Sequence, residues 1–464
     1  MAPTVDPAWI LVDEGFSLAR EHELESLFAI GNGYAGSRGS LAEGSALSAP
    51  ATFLAGVFDS QVCSVTGLVS TADWTRLSAT VNGRLLRLDQ GHSLEHRRVL
   101  DMRQGILWRE WRHQNAAGEI TRLKMLRLAS LADRHLLVQC ATITPENYSG
   151  SVSIDAALTG TVTQVTGSGT TVAMAVARRV VDSAGHCMSS TEVVVGQLSL
   201  EVRLGETYRL DRVVAVHTSR DTDEPREMAG RQVKHAIEDV NGVIAEHREA
   251  WLTRWKASDL RIEGDAAAQR ALRFAIYHLS SASNPEDERV SIGARGLSGT
   301  AYKGHVFWDT DIFLLPFFIL TYPEAARALV MYRYYTLAGA RAKAARLGYR
   351  GALYAWESAD TGEEMTPPFV VSPDGGIVRI LTGEQEQHIS ADVAFGVWKY
   401  WEATGDEGFL VDAGAEILIE TARFWASRAE LEEDGRYHIR GVIGPDEYHE
   451  KVDDNAYTNG LAQW

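Results

Sequence analysis

The stretch ADVAFGVWKYWEATGDEGFLVDAGAEILIETARFWASR, residues 391–428, decides the fold. Val393, Val397 and Trp401 recur at helical spacing, so they share one face of a helix running from about Ala391 to Thr404. Gly405-Asp406 stops that helix. A second helix follows from about Glu407 to Arg428, with Leu410, Ile417, Thr421 and Phe424 on one stripe. Upstream, Pro323 opens a helix at its first turn, where a missing N–H costs nothing. That helix carries Leu329, Tyr332, Tyr335 and Leu337, and Gly348 ends it. Helices of this length, joined by turns and long loops, suit an α/α barrel with a pocket where the loops gather.

The first half of the chain has a different grain. Leu136–Thr144, Ser151–Asp155 and Arg209–His217 are β-branched runs bounded by Gly, Pro, Asn or Ser turn signals. Many short strands of this kind predict a sandwich or super-sandwich of packed sheets. The composition changes near Asp221, and Met228–Ala257 is charged, Ala-rich and helical in period. Three regions are therefore expected: a β-sandwich over 1–225, a helical linker over 226–264 and a helical barrel over 265–464. The Gly-rich pieces at Gly31–Gly36 and Gly167–Gly169 lack the Lys-Ser/Thr of a phosphate loop and read as turns.

Bulk properties narrow the function classes. The 464 residues carry 45 Lys and Arg against 62 Asp and Glu, a net charge of −17. That balance opposes binding to nucleic acid or to an anionic membrane surface. The three cysteines, Cys63, Cys140 and Cys187, are few, odd in number and far apart, so no disulfide framework is expected. Neither a signal peptide nor a run of 18 apolar residues is present, which points to a soluble, cytoplasmic protein. Twelve tryptophans are many for this length, and some stand beside carboxylates. Rings pack on the C–H faces of sugars while carboxylates accept from their hydroxyls, although most tryptophans of any chain are core residues.

Three segments could carry chemistry. Trp308-Asp309 pairs a ring with a carboxylate ahead of a helix beginning near Asp311, where Asp309 or Asp311 would serve equally as an N-cap. Trp356-Glu357 repeats the pair in a loop. The segment from Gly441 to Asn459 then crowds Asp446, Glu447, Glu450, Asp453 and Asp454 behind Gly444-Pro445. Crowded carboxylates raise one another's pKa, which keeps one protonated for general-acid work. A solvated charged turn would look the same, and the spacing of a calcium loop is absent. His305, His388 and His449 match no metal-ligand spacing and read as isolated, satisfied histidines, so no metal is expected.

GHVFWDTDIFLLPFF, ALYAWESADTGEE, EQEQHISADVAFGVWKYW and GPDEYHEKVDDNAYTN, with the N-terminal ESLFAIGNGYAGSRG, together resemble glycoside hydrolase family 65, the maltose, trehalose and kojibiose phosphorylases. The resemblance implies a β-sandwich, a helical linker and an (α/α)6 barrel, and inversion at the anomeric carbon. It implies that Glu447 is the general acid and that Trp308 and Asp309 hold the non-reducing glucose. It places Trp356 and Glu357 at the neighbouring acceptor site, and Thr382 at a position typical of kojibiose-type members. The expected reaction is phosphorolysis of an α-linked glucose disaccharide, trehalose- or kojibiose-like, to β-glucose 1-phosphate. Inorganic phosphate would be co-substrate with no cofactor, and a homodimer is implied by likeness. An inverting hydrolase on the same scaffold is the alternative, and a non-catalytic sugar binder or inactive fragment a third. Family members continue beyond the position of Trp464, with a Lys-Gln pair for glucose and a Ser/Gly-rich loop for phosphate. On that reading the chain is C-terminally truncated, and is expected to be unstable or inactive alone.

Overall fold

The computed structural model describes residues 1–59, 65–156, 158, 162–165, 167–191, 197–372 and 374–464; Cys63 lies outside them. The chain forms two compact units. One comprises Met1–Leu54, Val69–Ala282 and Leu297–Gly299; the other Ala55–Leu68, Ser283–Gly296 and Thr300–Trp464.

The first unit is built on a nine-stranded sheet, and the three expected strands are central to it or to its partner: Leu136–Pro145, Gly150–Asp155 and Tyr208–Thr218. Successive side chains alternate between faces. Trp111, Leu123, Met125, Ala141, Ile143 and Leu210 share a core with Val81, Val152, Ile154 and Leu200 of a four-stranded sheet. Leu126, Leu128, Val138, Cys140 and Val213 point the other way and pack on Ala229, Val233, Val240 and Ile244. Those four lie on helices Pro225–Ala236 and Val240–Ser258, so the expected linker covers the back of the sandwich. Burial on both faces is why Leu136–Thr144 reads as a nearly unbroken apolar run.

Helix Ala266–Ala282, placed in the barrel by its sequence position, groups with the sheets instead. Tyr277 stacks on Trp251 at 5.0 Å, and Arg273 pairs with Asp259 at 2.9 Å while lying over the Trp9 ring. The Gly31–Gly36 piece is a hairpin turn, as expected, and its Asn32 side chain already takes the Tyr34 and Ala35 amides.

The second unit is helical. Helix Ile389–Thr404 ends at Gly405 in the left-handed conformation, with Val393, Val397 and Tyr400 buried and Trp401 only half-buried. In the next helical stretch a wide turn at Leu410–Gly414 intervenes before helix Ala415–Arg428. Its extra residue per turn shifts the buried stripe, which begins at Phe409 rather than Leu410 and continues through Ala413, Ile417, Thr421 and Phe424. The single helix expected from Pro323 is two, Pro323–Tyr335 and Leu337–Arg346. The Thr336 hydroxyl bonds back to the Tyr332 carbonyl at 2.9 Å, a competition that bends helices. Among the described residues, no helix is long and apolar enough to cross a membrane.

Candidate active site

Forty-six residues of sequence, 310–355, separate the two tryptophan–carboxylate pairs, and the fold removes that distance. Val306 and Ser358 exchange backbone hydrogen bonds of 2.9 and 3.0 Å, so the segments bearing Trp308-Asp309 and Trp356-Glu357 run side by side. Phe307 meets the Trp356 ring edge-on at 6.0 Å. His305, fully buried, faces Glu357 through Nδ1 at 2.7 Å and the Thr66 carbonyl through Nε2 at 2.7 Å.

Each segment is splinted by a buried ion pair. Arg333 pairs with Asp311 and donates to the Phe307 carbonyl at 2.8 Å, one residue before Trp308. The cap role open to Asp309 or Asp311 is thereby corrected. The Asp309 side chain makes no capping bond, and Asp311 is spent on Arg333. Lys343 pairs with Glu364, whose carboxylate accepts from the Trp356 amide at 2.9 Å and the Glu357 amide at 3.2 Å. Burial works to raise the Glu364 carboxyl, but Lys343 and these donors outweigh it and hold it below the usual carboxylate range.

Glu447 sits on an exposed loop whose ends are tied down. Val442 and Val452 exchange hydrogen bonds of 3.0 and 2.7 Å, and the Asp454 carboxylate takes the Ile439 amide, His438 and Arg440. Partial burial pushes the Glu447 carboxyl above its ordinary value. The charges of Glu357 and Asp309 push it further, against His388, which pulls it down. The cause expected from sequence, crowding within the Asp446–Asp454 cluster, is not the one at work. Asp454 is held down to about 2, chiefly by its bond to His438, and Asp446 turns to His449 at 2.8 Å. Burial is the larger cause, and the charges that add to it come from the two tryptophan–carboxylate segments, so Glu447 lies within electrostatic reach of both.

His388 is neither isolated nor peripheral, contrary to the sequence expectation. Fully buried, it bonds Asp392 through Nδ1 at 2.6 Å, and its ring meets Trp308 edge-on at 4.8 Å and Trp356 at 5.6 Å. Tyr457 donates to Asp392 at 2.7 Å. Glu386, two residues before His388, is a buried acid 3.5 Å from His388 Nε2 that sequence reasoning missed. Burial, with the charges of Glu447 and Asp392, pushes it up to about 7 against the pull of His388. Its only sequence signal was its place in EQEQHISAD. Thr382 opens the short helix Thr382–Gln385, and its carbonyl accepts the Glu386 amide at 2.9 Å.

Taken together, the arrangement associates two tryptophans with the acidic groups of Asp309, Glu357 and Glu447, a set suited to a sugar and its glycosidic oxygen. A cavity of about 1030 Å³ lies elsewhere on the helical unit and is lined mainly by apolar groups such as Trp398, Leu418 and Trp425. In the sheet unit His135, His217 and Asp221 bring donor atoms within 4.8 Å of one another. Their imidazoles are stacked at 3.9 Å and 15°, so the in-plane lone pairs run side by side instead of converging on one ion.

Comparison with known proteins gives a consistent picture. The sequence profile of the glycosyl hydrolase family 65 N-terminal domain matches residues 11–165 and 162–254, and that of the family 65 central catalytic domain matches residues 273–464. A kojibiose phosphorylase of Caldanaerobacter subterraneus subsp. tengcongensis is 40% identical, over 99% of this chain and 65% of its own. An alpha,alpha-trehalose phosphorylase of Thermoanaerobacter brockii is 32% identical, over 98% of this chain and 65% of its own. A solved structure from the human microbiome, assigned as a candidate kojibiose phosphorylase, shares the fold with a TM-score of 0.85 at 21% identity, covering 98% of this chain and 64% of that one. The chain thus spans just under two thirds of the length of these relatives.

Proposed function

Because this chain belongs to glycoside hydrolase family 65, we propose that its protein performs inverting phosphorolysis of an α-linked glucose disaccharide, with Glu447 as general acid. What supports the reading is the pairing of Val306 with Ser358, which holds Trp308-Asp309 and Trp356-Glu357 side by side, with the charges of Asp309 and Glu357 both reaching Glu447. Glu447 gives its proton to the glycosidic oxygen, the C1–O bond breaks, and the leaving sugar departs neutral. A phosphate oxygen bonds to C1 from the opposite face, giving β-glucose 1-phosphate. Phosphate is already anionic, so this scheme needs no second catalytic carboxylate and no cofactor, whereas a hydrolase needs a base for its water. Trp308 and Asp309 hold the glucose, and Trp356, Glu357 and Thr382 line the acceptor side. The greater identity to a kojibiose phosphorylase and the presence of Thr382 favour a kojibiose-like substrate, with trehalose next. A cytoplasmic location and a homodimer go with this proposal.

The test is incubation of the purified protein with kojibiose, trehalose, nigerose and maltose, with and without phosphate. Sugar phosphate formed only when phosphate is present supports the reading; glucose release at the same rate without phosphate turns it into the hydrolase. Glu447→Gln should lower kcat by about 10²–10⁴-fold while disaccharide binding persists. Near-normal turnover in that variant rejects the acid.

A further inference from the structure

Two segments of the site meet on one four-residue helix, Thr382–Gln385. On one side Gln385 reaches the loop that carries Glu447. Its backbone carbonyl accepts the Ile443 amide at 3.0 Å, and its side-chain oxygen accepts the Lys451 amide at 3.1 Å. Both amides lie just inside the pairing of Val442 with Val452 that closes the base of the loop, and Glu447 is four residues from each. At the tip, Asp446 accepts the Tyr448 amide at 3.1 Å and faces His449, bonds that shape the loop without tying it to another segment. On the other side the helix presses on the segment of the second tryptophan–carboxylate pair. Gly383 is buried in helical backbone, so space and not conformation calls for glycine: a Cβ there would stand 2.9 Å from Thr366 Cβ and 3.2 Å from Glu364 Cδ. Glu364 is the carboxylate that takes the Trp356 and Glu357 amides, and it also accepts from the Thr366 hydroxyl at 2.7 Å. Contacts therefore run unbroken from Trp356-Glu357 through Glu364, Gly383 and Gln385 to the Glu447 loop.

We propose that Gln385 is a positioning residue for the general acid: it clasps the Glu447 loop to the helix that rests on the Trp356-Glu357 segment, so that the proton stands in register with the glycosidic oxygen of the bound disaccharide. The inference rests on the reading of Glu447 as general acid. A general acid works only within hydrogen-bond reach of the oxygen it protonates, about 2.6–3.2 Å, and a misplacement of about 1 Å can cost about 100-fold in rate. That tolerance is tight and residues 445–451 are exposed, so the loop needs an anchor from outside itself. Of the two bonds to Gln385, only the one from Lys451 uses the side chain. A substitution therefore releases that leg of the loop and leaves the bond from Ile443 in place.

A displaced acid fails only where a proton is needed. The leaving sugar of a disaccharide needs one. In α-glucosyl fluoride the C1–F bond breaks, fluoride keeps the electron pair and leaves as the anion without a proton, and a phosphate oxygen bonds to C1 as before. In the full chain, Gln385→Ala should lower kcat/KM for kojibiose with phosphate by about tenfold or more, and for α-glucosyl fluoride by less than about threefold. Equal losses on both substrates, or no loss on kojibiose, overturn the proposal. Gln385→Glu keeps an acceptor oxygen at the same reach and should restore most of the kojibiose rate. Gln385→Asn, one methylene short, should not, and carries the same test if the Ala variant fails to fold. Hydrogen exchange reads the clasp without turnover. In Gln385→Ala the Lys451 amide should exchange about fivefold faster or more, and the Ile443 amide at its wild-type rate. Unchanged exchange at Lys451 overturns the proposal. Glu447→Gln separates the two readings: near-normal turnover of kojibiose in that variant ends the acid reading and this one with it, whereas a loss there, with none in Gln385→Ala, ends this one alone.

Discussion

Lys343 and Glu364 show how much of the site depends on groups that touch no substrate. Lys343 is buried and the Glu364 side chain is 11% exposed; Lys343 also donates to the Tyr354 carbonyl at 3.1 Å, and Glu364 holds the Trp356 and Glu357 amides. Breaking a buried pair from one side costs about 3–5 kcal/mol, because it strands the remaining charge. Lys343→Met should therefore lower stability by about that much in urea denaturation, and Lys343→Met/Glu364→Gln by clearly less. A loss below about 1 kcal/mol in the single variant would mean that the pair is not held dry. The folded Glu364 carboxyl lies below its unfolded value, so its contribution is present above about pH 4.3 and is lost as pH falls through the folded value. The gap between wild type and Lys343→Met should close in acid. At this scale the sequence showed the chemistry but not the support. A Trp beside a carboxylate is visible in one dimension, and its repetition at Trp308-Asp309 and Trp356-Glu357 was a fair signal. Lys343 and Glu364 carry no signal of their own in the sequence, and His388 reads as an isolated, satisfied histidine, because only the folded chain brings their partners within reach.

Elements were legible where one regular period held and misread where it changed. The helix from Ile389 to Thr404 follows its apolar spacing, whereas the wide turn at Leu410–Gly414 and the back-bonding Thr336 leave no mark in hydrophobic pattern. Two glycines with similar backbones separate conformation from space. Gly405 has φ 65° with open surroundings, and Gly351 has φ 71° with the Glu420 carbonyl 2.1 Å from where a Cβ would stand. Gly405→Ala should cost about 1–2 kcal/mol, the ordinary left-handed penalty. Gly351→Ala must also displace helix Ala415–Arg428 and should lower the thermal midpoint at least twice as far; equal losses would refute the clash. The loop carrying Glu447 makes a further prediction at this scale. Its anchor Asp454 is held down to about 2, so the anchor is intact above the unfolded value of about 4 and fails between about 4 and 2. His438, bonded to that carboxylate, is raised, so its share is full below about pH 6.5 and is lost as pH climbs through the raised folded value. Hydrogen-exchange protection of the Ile439 amide should peak between those limits; a flat profile from pH 3 to 8 would reject the anchor.

At the scale of the whole molecule, the change of grain along the chain was the most readable feature. Alternating runs gave sheets and 3.6-residue runs gave helices, while the division between units was less visible. Helix Ala266–Ala282 has the same helical signature as its successors, and the Trp251 and Trp9 rings, with Asp259, draw it to the sheet unit. Two units with separate cores need not unfold together, and Cys140 and Cys187 both belong to the sheet unit. Cys140 lies in the core between the nine-stranded sheet and helices Pro225–Ala236 and Val240–Ser258, and burial pushes its thiol far above the usual range. Cys187 is exposed. The thiolate is the reactive form, so Cys140 is doubly protected, by access and by protonation. A thiol reagent at pH 8 should modify Cys187 within the mixing phase. Cys140 should wait for the urea concentration at which the strand signal is lost, even where the helix signal has already changed. Labelling of Cys140 in buffer at the rate of Cys187 would mean that the helices do not seal the back of the sheet. Labelling that tracks helix loss instead would mean that the two units unfold as one.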